Sequence, residues 1–200
     1  MDKKLLNYVI CGCVRNCEKY LKDVFNNISL IQKNINIIKI IVAFDESEDN
    51  TLIELNKLKV LFNLEILINK NKLTPYRTLN ISNARNMLLD YLLNYKSKID
   101  YFIMMDFDDV CSKQINLDVL NESLTYEWDC ITYNNENYYD YWALAIDNFE
   151  FSCWHWNNPK IIINLMREYL YDKLNESTNN IISCDSAFNG FAIYKFDKFV

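Results

Sequence analysis

Apolar residues in the first half of the chain come in continuous runs, each followed by a segment of helical spacing. Leu6 to Val14 is nearly unbroken and reads as a buried strand. From Glu18 to Ile31, Leu21, Val24, Phe25 and Ile28 stand three or four apart, which predicts an amphipathic helix. Ile37 to Phe44 is a β-branched run ending at Asp45. Asn50 to Leu61 returns to helical spacing, and Leu64 to Ile68 is a short strand. A polar loop then leads to Ser82, which stands as the N-cap of a helix through Tyr95. Tyr101 to Met105 predicts a fourth strand. Strands alternating with helices in this way predict βαβ units and a parallel sheet, hence an α/β fold.

The second half is less regular. Leu117 to Leu124 predicts a short helix capped by Asn116, and Cys130 to Tyr133 a strand. An aromatic segment follows from Tyr138 to Trp156, and Pro159 opens a helix through Tyr171. Ile181 to Ser183 and Phe191 to Tyr194 read as strands around Asn189-Gly190, a pair that by itself signals a hairpin turn. There is no repeat and no low-complexity linker, so a single domain is expected. The chain stops soon after a strand with no closing element, as the front part of a longer protein would.

Composition narrows the function. Half the residues are hydrophobic and 24% are charged, a globular balance. The net charge of -6 argues against a nucleic-acid polymer as partner but leaves a single nucleotide open. No run of about eighteen apolar residues marks a transmembrane segment. The start, MDKKLLNYVICGCV, runs into Arg15 and Asn16 without a small-residue cleavage site, so it reads as a strand and not a signal peptide. The cysteines are odd in number and irregularly spaced, with no Cys-x-x-Cys pair. They read as small hydrophobes in a reduced, cytoplasmic protein. With glycine only at Gly12 and Gly190, asparagine must supply many turns and caps.

The chemistry gathers at the predicted strand ends. The run YFIMMDFDD ends in Asp106, Asp108 and Asp109. Asp106 and Asp108 share one face of an extended backbone while Phe107 points away. Such a pair suits a hard divalent ion, Mn2+ or Mg2+, that also binds phosphate oxygens. The plainer reading is a solvated turn in which Asp109 caps the next helix. Asp45 ends the second strand, placed to accept from a ribose hydroxyl or a base N–H. The arginines are Arg15, Arg77, Arg85 and Arg167 alone, so each carries weight. Arg85 falls one turn into the predicted helix, near its positive end, where a planar guanidinium suits a phosphate or a base. Tyr139, Asp140 and Trp142 set aromatic faces beside an acid, as a sugar ring requires, although core packing claims at least two of the aromatics of this segment. Trp154, His155 and Trp156 invite the same thought, but a lone histidine is more often structural.

In order and spacing, RNCEKYL, ESEDNT, NARNMLLDYL, MMDFDDV, CITYNNENYYDYWALA and SAFNGFAIYK together resemble glycosyltransferases of the GT-A fold. The likeness is to the capsule-associated α-mannosyltransferase family and to enzymes of large DNA viruses, and it spans most of residues 8 to 195. It implies a Rossmann-like, mixed and mostly parallel sheet flanked by helices, with residues 1–110 as the nucleotide-binding half and 111–200 as the acceptor and sugar side. It implies a nucleotide-sugar donor (UDP-, GDP- or dTDP-linked), a glycan or other hydroxyl acceptor, and a location in host cytoplasm or virion. The loop Cys13, Val14 and Arg15 would lie with Asp45 near the nucleoside. Arg77 and Arg85 would serve the donor, Arg85 near base or phosphate, with Asp106 near ribose and Asp108 on the metal. Asp140 and Trp142 would face the sugar and acceptor, and the turn with Asn189 and Gly190 would line the same cleft. Asp140 is then a base if the enzyme inverts, or a stabiliser of the sugar cation if it retains. Where relatives carry Gly-Gly or Trp-Asn-Gly at that turn this chain has Phe188-Asn189-Gly190, and the further metal ligand that usually follows the last strand is not in the chain. Two alternatives stay open. One is a nucleotidyltransferase, which ordinarily has a glycine-rich phosphate loop; the other is a non-catalytic carbohydrate- or protein-binding module.

Overall fold

The computed structural model describes residues 5–134, 138–147, 151–153 and 159–199. They fall into two compact units, residues 1–131 with 190–200, and residues 132–189. In the first, β1 (Asn7–Val14), β2 (Asn36–Phe44), β3 (Leu64–Ile68), β4 (Tyr101–Met105), β5 (Cys130–Thr132) and β8 (Phe191–Lys195) form a six-stranded sheet in the order β3-β2-β1-β4-β8-β5. β1 pairs in parallel with both β2 and β4, and β2 with β3, while β4 and β8 are antiparallel. The sheet is therefore mixed and mostly parallel, as expected. The chain leaves β1 toward β2 and β3, then returns to β1's other side for β4. That reversal is the switch point at whose carboxyl edge open α/β sheets bind ligands.

Helices α1 (Glu18–Ile31), α2 (Thr51–Leu58) and α3 (Arg77–Leu93) connect the parallel strands. α1 matches its predicted bounds because its stripe of Leu21, Val24, Phe25, Ile28 and Ile31 is wholly buried. α3 does not. It begins at Arg77, and Ser82 lies exposed inside it instead of capping it. The reason is a hook before the helix. The Asn80 side chain accepts from both the Thr74 amide and Thr74 Oγ1 and donates to the Thr74 carbonyl at 2.8 Å, fixing the turn at Pro75 so that helix can start beyond it. α4 (Asp109–Ser112) is a single turn. Asn116 caps α5 (Leu117–Ser123) as expected, accepting from the Asp118 and Val119 amides. The four-residue α7 (Phe196–Phe199) follows β8.

In the second unit, β6 (Ala145–Ile146) pairs with β7 (Phe151–Ser152), and α6 (Pro159–Glu176) starts at the expected proline but runs beyond Tyr171. Ile162, Met166 and Leu170 of α6 pack with Tyr138, Tyr141, Leu144, Ile146 and Cys153 in its core. Ile181 to Ser183 is not a strand: the segment carries no ladder until Ser186 bridges to Ala145. Asn189-Gly190 is accordingly not a hairpin. Gly190, at φ 84, turns the chain into β8. No helix among the described residues is long and apolar enough to cross a membrane.

Candidate functional site

The carboxyl ends of β1, β2 and β4, with α3, bring the predicted residues Cys13, Asp45, Arg85, Asp106 and Asp108 of the first unit together. Asp45, only 8% exposed, follows β2. Its amide bonds to the Val14 carbonyl at 3.0 Å, and its Oδ1 accepts from Asn69 Nδ2 at 2.7 Å. Asn69 was not anticipated, although it stands where the strand-end pattern points, one residue beyond β3. Its own Oδ1 accepts from the Asn71 amide, which turns its Nδ2 toward Asp45.

Arg85 Nη2 lies 3.5 Å from Asp106 Oδ1, with both side chains about one-third exposed (35% and 28%). The pair arises from the early start of α3, which puts Arg85 more than two turns into the helix. It is therefore not near the helix's positive end, and its partner is a carboxylate and not the helix dipole. Burial pushes the Cys13 thiol up to about 12, against the pull of the Arg85 charge, with the Asp106 and Asp45 charges pushing further up and a hydrogen bond from Arg85 pulling down. Cys13 is thus a neutral wall of the site, not a nucleophile.

Asp108, not Asp109, caps α4: its Oδ1 accepts from the Val110 amide at 3.1 Å. Asp109 is the first helical residue and is exposed. Burial raises the Asp108 carboxyl above its ordinary value. The Val110 hydrogen bond opposes this, the Asp109 charge adds to it, and the Arg77 charge lowers it. Arg77, at the start of α3, is therefore close enough for its charge to act on the acidic turn. Asp106 is held by its amide, which donates to the Gly190 carbonyl at 2.8 Å.

The β1–α1 loop is braced, not open. Val14 is 1% exposed, so its side chain belongs to the core. Arg15 Nε donates to the Glu46 carbonyl at 3.3 Å. Asn16, at φ 53, exchanges bonds with Ser47 and Glu48.

In the second unit the aromatic segment divides into core and exposed residues. Tyr138 and Tyr141 are core, while Tyr139 and Trp142 are 46% and 43% exposed on either side of half-buried Asp140. Arg167 lies 5.7 Å above the Tyr141 ring and donates to its hydroxyl, holding the turn to α6. Asn189 is 2% exposed. Its amide accepts from the Tyr139 N–H and donates to the Tyr133 carbonyl, which gives it a structural task. Trp154, His155 and Trp156 lie outside the described residues.

No group of three or more His, Cys, Asp or Glu side chains that could hold a metal gathers among the described residues. What the acidic turn offers is an oxygen-only pair, Asp106 and Asp108. A hard cation such as Mg2+ takes one or two carboxylates and fills its remaining positions with water and substrate phosphates.

No family model and no curated protein matches the chain. Among solved structures it is similar to S. aureus TarS at 21% identity, over 60% of this chain and 19% of that one, with a TM-score of 0.42. It is similar to TarS 1-349 at 18% identity over 70% and 42% of the two chains (TM-score 0.46). With TarS 1-349 in complex with UDP-GlcNAc the figures are 19%, 69% and 38% (TM-score 0.45). The chain spans less than half the length of each of these structures.

Proposed function

We propose that this chain is a glycosyltransferase that moves a sugar from a nucleotide-diphosphate sugar to a hydroxyl acceptor such as a glycan. The observation that carries the reading is the meeting of buried Asp45, the Arg85–Asp106 pair and the capping Asp108 at the carboxyl edge of β1, β2 and β4. Asp45, pinned on one oxygen by Asn69, accepts from the nucleoside with the other. Arg85 gives up part of its contact with Asp106 to face the diphosphate, where a guanidinium fork matches the oxygens. Asp106 then serves the ribose.

Asp106 and Asp108 would hold Mn2+ or Mg2+, which supplies charge neutralisation to the departing diphosphate. An acceptor O–H attacks the anomeric carbon as the bond to the diphosphate oxygen breaks. Asp140 takes the proton if the reaction inverts; if it retains, Asp140 faces the sugar cation and the departing diphosphate oxygen takes the acceptor's proton. Trp142 and Tyr139 offer faces for sugar C–H groups.

A nucleotidyltransferase fits less well. Gly12 lies inside β1 under Phe107, and no glycine occurs from Cys13 to Cys17 to cradle a phosphate. The exposed Tyr139 and Trp142 keep one second reading, a carbohydrate-binding module on the same scaffold. Calorimetry with UDP-, GDP- and dTDP-sugars, with and without manganese, separates the readings, with UDP-GlcNAc first in the screen. The expected result is metal-dependent binding of one donor class that Asp108→Asn abolishes. No nucleotide binding by the wild type overturns the proposal. Tight binding with neither transfer nor donor hydrolysis establishes the module instead.

A further inference from the structure

From Asp108 to Val119 no residue is fully buried, and Val110, Cys111, Ile115 and Leu117 are only half-buried, so this stretch, which carries the acidic turn and α4, has no deep apolar anchor of its own between Phe107 and Leu120. A single helical turn does not persist unaided. What holds it on the helix side is Asn27, a polar residue beside the apolar stripe of α1 and only 5% exposed. A buried amide is costly unless its bonding capacity is used. Asn27 spends its capacity on this one stretch. Nδ2 donates to the Cys111 carbonyl at 2.9 Å and the Lys113 carbonyl at 2.6 Å, and Oδ1 accepts from the Ile115 amide at 3.3 Å. Two carbonyls and one N–H also fix which end of the side chain is nitrogen.

Cys111 and Lys113 close α4, and Asp108 opens it. On the sheet side, the Cys111 thiol donates at 3.1 Å to the Gly190 carbonyl that also receives the Asp106 amide. The acidic turn is therefore suspended between Gly190 and Asn27.

We propose that Asn27 is a positioning residue that sets the orientation of Asp108, and with it the metal-dependent part of donor binding. The inference rests on the reading of Asp106 and Asp108 given under Proposed function. Asn27 itself touches neither donor nor metal. It acts as the partners behind metal ligands do, whose loss weakens metal affinity about 10- to 100-fold with the ligands still present.

The test is calorimetry of wild type and Asn27→Leu, similar in volume and unable to bond the turn, with the donor in manganese and again in chelator. Affinity in manganese should fall at least about tenfold. Affinity in chelator should stay at the wild-type value, because β2 and α3 still hold Asp45 and Arg85. The binding stoichiometry should not change, which a loss of folded protein would alter. Hydrogen exchange should show faster Val110 and Ile115 amides with β1 unchanged. Should Asn27→Leu fail to fold, Asn27→Ser, which keeps one short donor, takes its place with the same expectations.

Equal affinities of wild type and variant in manganese overturn the inference, as does equal weakening with and without metal. A wild type that binds no donor in manganese overturns the reading of the site itself, and this inference with it.

Discussion

The Phe107 ring lies directly over Gly12: a Cβ added at Gly12 would run into the ring and come within 2.6 Å of the Met105 carbonyl oxygen. Phe107 is 1% exposed and meets Phe25 edge-on, with ring centroids 5.8 Å apart. Burying this one ring under the sheet edge is what turns its neighbours, Asp106 and Asp108, toward the other face.

Gly12→Ala should therefore damage both fold and site. Overpacking against a ring and a fixed backbone oxygen costs about 1–3 kcal/mol. In a chain of this size that is a fall in Tm of roughly 2–4 °C per kcal/mol. Thermal unfolding with donor calorimetry checks it, and the loss of donor affinity should exceed what the unfolded fraction explains.

Arg85→Met should leave stability nearly intact and cripple donor binding. A partly exposed ion pair such as Arg85–Asp106 contributes no more than about 1 kcal/mol to the fold. A charge-assisted contact to the diphosphate is worth about 1.5–3 kcal/mol, or roughly 10- to 100-fold in Kd. Arg85→Lys should recover only part of the affinity, because an ammonium does not reproduce the fork. Equal Kd values for wild type and Arg85→Met would remove Arg85 from the site.

Asp108→Asn should separate function from stability. Burial raises the Asp108 carboxyl, so the folded state holds that proton more tightly than the unfolded chain does. The group therefore opposes folding increasingly as pH rises from the ordinary value to the raised one, and fully above it. Asparagine keeps the cap without the charge. The variant should melt no lower than wild type at pH 7 and should compare less favourably as pH falls below the ordinary carboxylate range. It should bind the donor in manganese no better than in chelator.

Asp49 should carry part of the acid sensitivity. One carboxylate serves two helices: Oδ2 accepts from the Glu18 amide at the start of α1, and Oδ1 accepts from the Thr51 amide and hydroxyl at the start of α2. Burial pushes its carboxyl up, but the Thr51 and Glu18 bonds outweigh that and leave it below its ordinary value. Its stabilisation is then complete above the unfolded-state value and is lost as pH falls through the lower, folded one. Asp49→Ala should lower stability by about 1 kcal/mol at pH 7 and flatten the acid limb of a Tm-against-pH curve. A parallel shift at every pH would contradict the role.

The layers of the first unit were legible because each strand is a continuous apolar run and α1 repeats its stripe at helical spacing. The strand ends were legible for the same reason, since Asp45 and Asp106 are the first polar residues after buried runs. Asn69 carried the same signal after β3. The start of α3 was misplaced because the Thr74–Asn80 hook joins residues six apart and leaves no mark in hydrophobic spacing. The cap of α4 went to Asp109 in place of Asp108, because neighbouring carboxylates are told apart only by backbone angles. Tyr138 and Tyr141 could not be separated from Tyr139 and Trp142 until α6 had covered two of the four.

By itself the sequence determined the alternation of strands and helices, the parallel half of the sheet and the acidic edge after Tyr101 to Met105. All of these follow from local burial patterns that any tertiary arrangement must respect. Only the tertiary structure decided that Gly12 makes room for Phe107, that Arg85 meets Asp106 and that Asn27 holds the turn beyond Asp108. Those relationships join residues about 20 to 95 positions apart by sequence number, through packing, an ion pair and hydrogen bonds that exist only once β1, β4, α1 and α3 are side by side.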